Sequence, residues 1–158
     1  MKKYKRILVV ARMIQSCKMA IQHGVSLARK YDAELYILHS IHNPFDLRGW
    51  GLGTRELAVE YDKSIVEAKR KLANIVEAER TTVGMSIKEM VREGEPTAEI
   101  LKTIAEEKID LLVMLAHEEG HLEHLLFGRS NEELVRKMPC SIMLVKKEPG
   151  MAAEGNDD

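Results

Sequence analysis

The chain has 158 residues, 45% of them hydrophobic and 31% charged, with a net charge of −1. That length holds one domain with its own apolar core, and near-neutrality removes the electrostatic basis for binding nucleic acid or an anionic membrane. No apolar run approaches the roughly 20 residues that cross a bilayer, and the basic start is followed by too short an apolar run for a secretory leader. We therefore expect a cytoplasmic protein without membrane insertion. The two cysteines, Cys17 and Cys140, make no disulfide scaffold and have no adjacent base or paired thiol that would argue for redox or nucleophilic chemistry.

In chain order, the apolar run from Ile7 to Ala11 reads as a strand. Ala20, Gly24, Leu27, Ala28 and Tyr31 then fall on one helical face, flanked by Ile21 and Val25. Gly24 costs about 1 kcal/mol of helix propensity against alanine, so close approach of helix to sheet is its expected compensation. His23 borders that stripe as a packed or half-exposed residue. Leu35 to Ile41 is a second strand, with His39 expected as a hydrogen-bonded core residue.

Residues 42–53 are irregular, broken by Pro44 and by glycines 49, 51 and 53. They read as a connector pinned by Phe45 and Trp50, with a lid as the alternative. Leu57, Tyr61, Ile65, Leu72, Ile75 and Val76 mark a long amphipathic helix that ends before Gly84, with the charge run 67–71 on its solvated face. Met85 to Val91 mixes apolar and charged residues as an edge strand does. A turn at 94–96 puts Pro96 in the first turn of a third helix carrying Ile100, Leu101, Ile104 and Ala105.

The stretch from Asp110 to Val145 organises the rest. A short apolar strand is followed by a polar loop with glycines at 120 and 128, then Ser130 three residues before Glu133, a capping-box pattern that starts a helix. Pro139 ends that helix, and Ile142 to Val145 form a last strand. Met114 and Met143 fill gaps in the core as strand residues. The alternation predicts a five-stranded parallel α/β sandwich, with ligand sites in the loops after the strands. We expect one domain over 1–147 and a disordered acidic tail over 148–158.

Several segments together carry a resemblance over residues 5–146. They are the opening Arg-Ile-Leu-Val-Val, the run Ala33 to His39, the turn at 94–96, and Asp110 to Met114. Leu125-Leu-Phe-Gly128 and Pro139 to Val145 complete the set. The chain resembles the universal stress protein family. The resemblance implies a Rossmann-like, adenine nucleotide alpha hydrolase-like three-layer fold with strand order 3-2-1-4-5. It also implies a homodimer that pairs its last strands (Ser141, Ile142, Met143, Leu144, Val145) and a regulatory rather than catalytic role in stress response, toward a protein partner that the sequence does not identify.

Many members of that family bind ATP through Gly-x2-Gly-x9-Gly-(Ser/Thr) after the fourth strand. Such a loop works through missing side chains, which let backbone amides and a helix N-terminus wrap the phosphates. Here the first glycine position is Leu115 and the second Glu118, while Gly128 is retained. Arg129 stands at the hydroxyl position, followed by Ser130, and Arg12 stands where ATP-binding members place an aspartate. Ile41 keeps the apolar adenine wall. We therefore expect no cofactor and no ATP binding in the family manner, the residues forming a vestigial site or holding another anion through Arg12 and Arg129. An ATP-dependent switch is the alternative.

The same loop contains His117-Glu-Glu-Gly-His121 with His124 beyond, formally the zincin spacing. The first histidine directly follows a strand and the fourth position is a helix-weakening glycine, so the helical context is wrong. We expect a solvated polar loop without metal, and no enzyme.

Overall fold

A computed structural model describes residues 3–11, 17–41, 55–116 and 129–146. Among the described residues nine elements follow one another: β1 (Arg6–Val10), α1 (Cys17–Tyr31), β2 (Glu34–Ile41), α2 (Arg55–Val83), β3 (Ile87–Glu93), α3 (Pro96–Glu106), β4 (Leu111–Leu115), α4 (Arg129–Lys137) and β5 (Ser141–Val145). The strands form one parallel sheet in the order β3-β2-β1-β4-β5. This is the Rossmann-like arrangement expected, because a right-handed crossover through a helix is the short way to join parallel neighbours.

Register follows from burial on both faces. Residues 7–9 lie beside 35–37 on one side and 111–113 on the other. Their alternate side chains divide between two apolar clusters. Ile7, Val9, Leu35, Ile37 and Val113 meet Ala20, Ile21, Val25 and Ala28 of α1 and Leu72 and Val76 of α2. Leu8, Val10, Leu38, Leu112 and Met114 meet Ile100 and Ile104 of α3 and Leu134 of α4. Each fully buried leucine or isoleucine contributes about 1.5–3 kcal/mol. A one-residue slip would exchange every one of these partners.

Gly24 does what its place in α1 predicts. A Cβ built there would lie 2.3 Å from Cγ2 of Val9, and a β-branched neighbour in a strand cannot swing aside. Only a glycine lets α1 sit this close to β1. At the amino end of the sheet, the Asp110 carboxylate accepts the amides of Lys5 (2.9 Å) and Arg6 (3.1 Å), tying the start of β4 to β1.

Some boundaries differ from the sequence reading. β3 starts at Ile87, two residues later than expected, because Gly84 (φ 65°) turns the chain first; Met85 still packs on the α1-side cluster. α4 is described from Arg129, which places Ser130 within it. The Glu133 carboxylate is engaged by Lys137 at 2.7 Å. α3 is capped by Glu95, whose carboxylate accepts the amides of Thr97 (3.1 Å) and Ala98 (2.7 Å). Met138 leaves α4 at φ 42° just before Pro139, which terminates the helix as expected. His23 is exposed on α1 rather than packed at the edge of its stripe. The connector at 42–53, including Phe45 and Trp50, and the tail at 148–158 lie outside the described residues.

Candidate functional site

In an open parallel sheet, a crevice forms at the carboxyl ends of the strands where the strand order reverses. Here that point lies between β1 and β4: the chain winds outward from β1 through β2 to β3, then returns to β4 and β5 on the other side. Both strands are held hard up to their last residue. The amide of Ala11 donates to the carbonyl of Leu38 at 2.9 Å, and the amide of Ala116 to that of Val145 at 2.7 Å. The chain thus leaves the sheet toward Arg12 and toward His117 from two fixed points.

His39 adds a second hold on the end of β1. It is buried, with Nδ1 2.5 Å from the carbonyl oxygen of Ala11. A carbonyl only accepts, so Nδ1 carries the hydrogen and donates it. This is the hydrogen-bonded core histidine expected from the sequence, with the added role of fixing the β1 exit. Beside it, at the end of β2, the hydroxyl of Ser40 is shielded from solvent and has no hydrogen-bond partner among the described residues. Nothing in the sequence pattern marks that hydroxyl, since a serine within an apolar strand reads only as an interruption.

The remaining rim is built from β2, β3 and α4. The carbonyl of Ile41 accepts the amide of Gly94 at 3.1 Å, which fixes the end of β2 against the turn into α3. Gly94 has φ 145°, a conformation suited to glycine. α4 connects parallel strands, so its N-terminus faces this same carboxyl end. Its first-turn amides have no intrahelical acceptors and give the rim a positive pole.

The sequence-derived site residues divide as follows. Ile41 and Leu115 close β2 and β4, and Arg129 and Ser130 open α4. These four converge on one rim in backbone terms. Leu115 is half-buried and packs on the α1-side cluster, so the position that would be glycine in a phosphate-wrapping loop carries a side chain anchored in the core. Arg12, Glu118 and Gly128 lie outside the described residues, as do His117, His121 and His124. Among the described residues no group of three metal-ligating side chains occurs. Of the last-strand residues, Leu144 is exposed, Ser141, Ile142 and Met143 are half-buried, and Val145 is buried within its own chain. Cys140, just before β5, is a half-buried thiol.

Among the described residues the most perturbed titrating groups are not on this rim. At the amino end, the ammonium of Lys88 (2.8 Å) and then the hydroxyl of Tyr36 (2.9 Å) hold the Glu34 carboxyl down to about 2. In return Glu34, and then Tyr36, raise Lys88, and burial raises Tyr36. Lys88 also sits 4.6 Å above the Tyr36 ring. Together these contacts form a closed structural clamp, with each polar group satisfied by the others.

Comparison with known proteins agrees with this architecture. Residues 3–146 match the model of the universal stress protein family. Two universal stress proteins of Methanocaldococcus jannaschii align along nearly the whole chain. One is 26% identical over 157 residues, covering 92% of this chain and 96% of the relative. The other is 30% identical over 149 residues, covering 91% and 83%. A solved universal stress protein in complex with cAMP superposes with a TM-score of 0.69 at 16% identity, covering 93% of this chain and all of that one, a likeness of fold. Among the described residues no helix is long and apolar enough to cross a membrane.

Proposed function

The chain belongs to the universal stress protein family, and from that premise we propose that it is a cytoplasmic, non-catalytic, homodimeric regulatory module that does not hold ATP in the family manner. The observation that carries the dimer is the open edge of β5. Among the described residues this strand pairs with β4 alone, bears no charged residue, and exposes Leu144 (48%), while Val135 of α4 and Met138 just after it are exposed as well. Unpaired backbone groups next to an apolar fringe are the template for strand addition, and a two-fold axis through that edge satisfies both copies at once. Leu144 faces the fringe while Val145 serves its own core, so the proposed interface reads as backbone pairing plus Leu144, Ile142 and Met143.

The ATP part of the proposal rests on Leu115, Glu118 and the arginines. Leu115 is committed to the core, and the Ala116 amide is committed to Val145, so neither offers a bare backbone to a triphosphate. Each charge-assisted hydrogen bond that a phosphate fails to find is worth about 1.5–3 kcal/mol, and two or three of them separate a micromolar from a millimolar site. Sedimentation equilibrium is expected to give a dimer at micromolar concentration, and calorimetry with magnesium ATP a dissociation constant weaker than about 100 µM. A monomer overturns the first reading. Micromolar ATP affinity overturns the second and means that Arg12 and Arg129 replace the glycines. In that case the nucleotide-dependent switch is the better reading, one that the α4 N-terminus and the cAMP complex of a similarly folded protein favour.

A further inference from the structure

The second helix is too long for the sheet it covers. α2 runs 29 residues, about 43 Å at 1.5 Å per residue, while the strands beneath it have five to eight. Its buried anchors are Ile65, Leu72 and Val76, all on one face. Between residues 59 and 64, every side chain that is described is exposed.

The outer face nevertheless carries apolar residues at a regular spacing. Val59 is 48% and Val66 66% exposed, seven residues apart and therefore on one stripe, which continues to Ala73. Asp62 and Lys69 border it on one side, Lys63 and Glu67 on the other. Among the described residues Asp62, Lys63 and Lys69 have no ion-pair partner, while Glu67 reaches Lys71 at 2.8 Å.

We propose that this stripe is a second interface between copies of the chain, formed by two α2 helices packed antiparallel about a two-fold axis between residues 65 and 66. That axis sets the same flank of each helix against itself in reverse order. Asp62 then lies opposite the partner copy's position 69, a lysine, and Lys63 close to its position 67, a glutamate. Each pairing occurs twice, and Val66 meets its own counterpart near the centre. The pattern is self-complementary on both flanks, as an isologous contact demands. The buried area is small, so the contact belongs with weak interfaces of less than about 1,200 Å². It lies away from β5, because α2 covers the β2–β3 side of the sheet, and it stands whether or not the β5 dimer forms.

The test is sedimentation velocity at roughly 10 to 500 µM on four full-length proteins: unchanged, Val66→Asp, Leu144→Lys, and both together. Val66 is solvent-exposed, so its replacement leaves the fold intact. With both interfaces present, the unchanged chain forms dimers that associate further. Leu144→Lys then retains a dimer that Val66→Asp abolishes, shifting the midpoint of association at least tenfold. If Leu144→Lys associates as strongly and to the same size as the unchanged chain while Val66→Asp abolishes association, the β5 reading sinks and this one stands. A Leu144→Lys protein that stays monomeric throughout overturns the α2 interface. A charge exchange checks the register: Asp62→Lys and Lys69→Asp each weaken association, and the double variant restores it. Failure of that rescue overturns the antiparallel arrangement. Trp50 is the only tryptophan. If its emission reddens in Val66→Asp while the chain remains monomeric, the stripe is covered by residues of its own chain and the proposal falls.

Discussion

The two edges of the sheet are built on opposite principles. β3, at one edge, is charged along its length: Lys88 engages Glu34, Arg92 engages Glu106 (2.8 Å) and Glu99 (3.8 Å), and Glu89 takes Arg80 at 3.1 Å. Arg80 also donates to the carbonyl of Ile87 at 2.6 Å, occupying an acceptor that another strand would need. β5, at the other edge, has no charge and exposes Leu144. An edge meant to stay single is blunted by charges and side-chain caps, whereas an edge meant to pair is left bare. The contrast teaches that exposure of strand backbone is not itself the signal. What distinguishes the edges is whether the sequence spends side chains on closing them.

The comparison can be broken most forcefully by giving β5 the protection that β3 already has. Leu144→Lys places a lysine at an exposed edge position, where two copies would bring like charges together. Pairing through β5, measured by sedimentation, is expected to weaken roughly 100-fold, about 2.8 kcal/mol at 1.4 kcal/mol per decade, with the melting behaviour of the monomer unchanged. An unaltered dimer would show that β5 is not the contact.

The reverse experiment strips β3. Arg80→Ala with Lys88→Val removes the carbonyl cap and the lysine. The monomer is expected to lose about 1 kcal/mol of stability for the Arg80 hydrogen bond, read by urea unfolding, and to gain concentration-dependent association read by light scattering. Stability lost without any association would mean that β3 is protected by geometry rather than by charge.

The smallest effect is expected from acid. The Glu34 carboxyl, normally near 4.5, is held at about 2 in the folded chain, chiefly by Lys88 and then by Tyr36. Because the folded value is the lower one, the clamp stabilises fully above about pH 4.5, and its contribution is lost as the pH falls toward 2. Both side chains are about half exposed, so solvent screening keeps the effect modest. Melting temperature should fall across that window, and Glu34→Gln should flatten that part of the slope. A slope untouched by the substitution would assign the acid sensitivity to other carboxylates.

Much of this molecule was legible in the residues because local and global signals agree. The apolar runs at 7–11 and 110–116 can only be strands covered on both faces, and Gly24 announced the close approach that Val9 enforces. Leu115 and Glu118, at positions where the family's phosphate loop has glycines, are the basis of the proposal that ATP is not held in the family manner. Where the reading failed, a partner far along the chain or on the next turn decided the outcome. Glu133 is drawn to Lys137 four residues on. Glu95, a poor capping residue by type, caps α3 because the turn from β3 delivers it there.

Which strands became edges, and which faces of them were closed, depended on the tertiary structure alone. Lys88 protects β3 only because β2 brings Glu34 and Tyr36 beside it, and His39 secures the end of β1 only through a carbonyl 28 residues away in sequence. Periodicity records which face of an element is apolar, a property of neighbours along the chain. Pairing across the sheet is decided by residues that meet only after folding, so the sequence determined the elements and the family, and the fold determined what each edge and rim is able to hold.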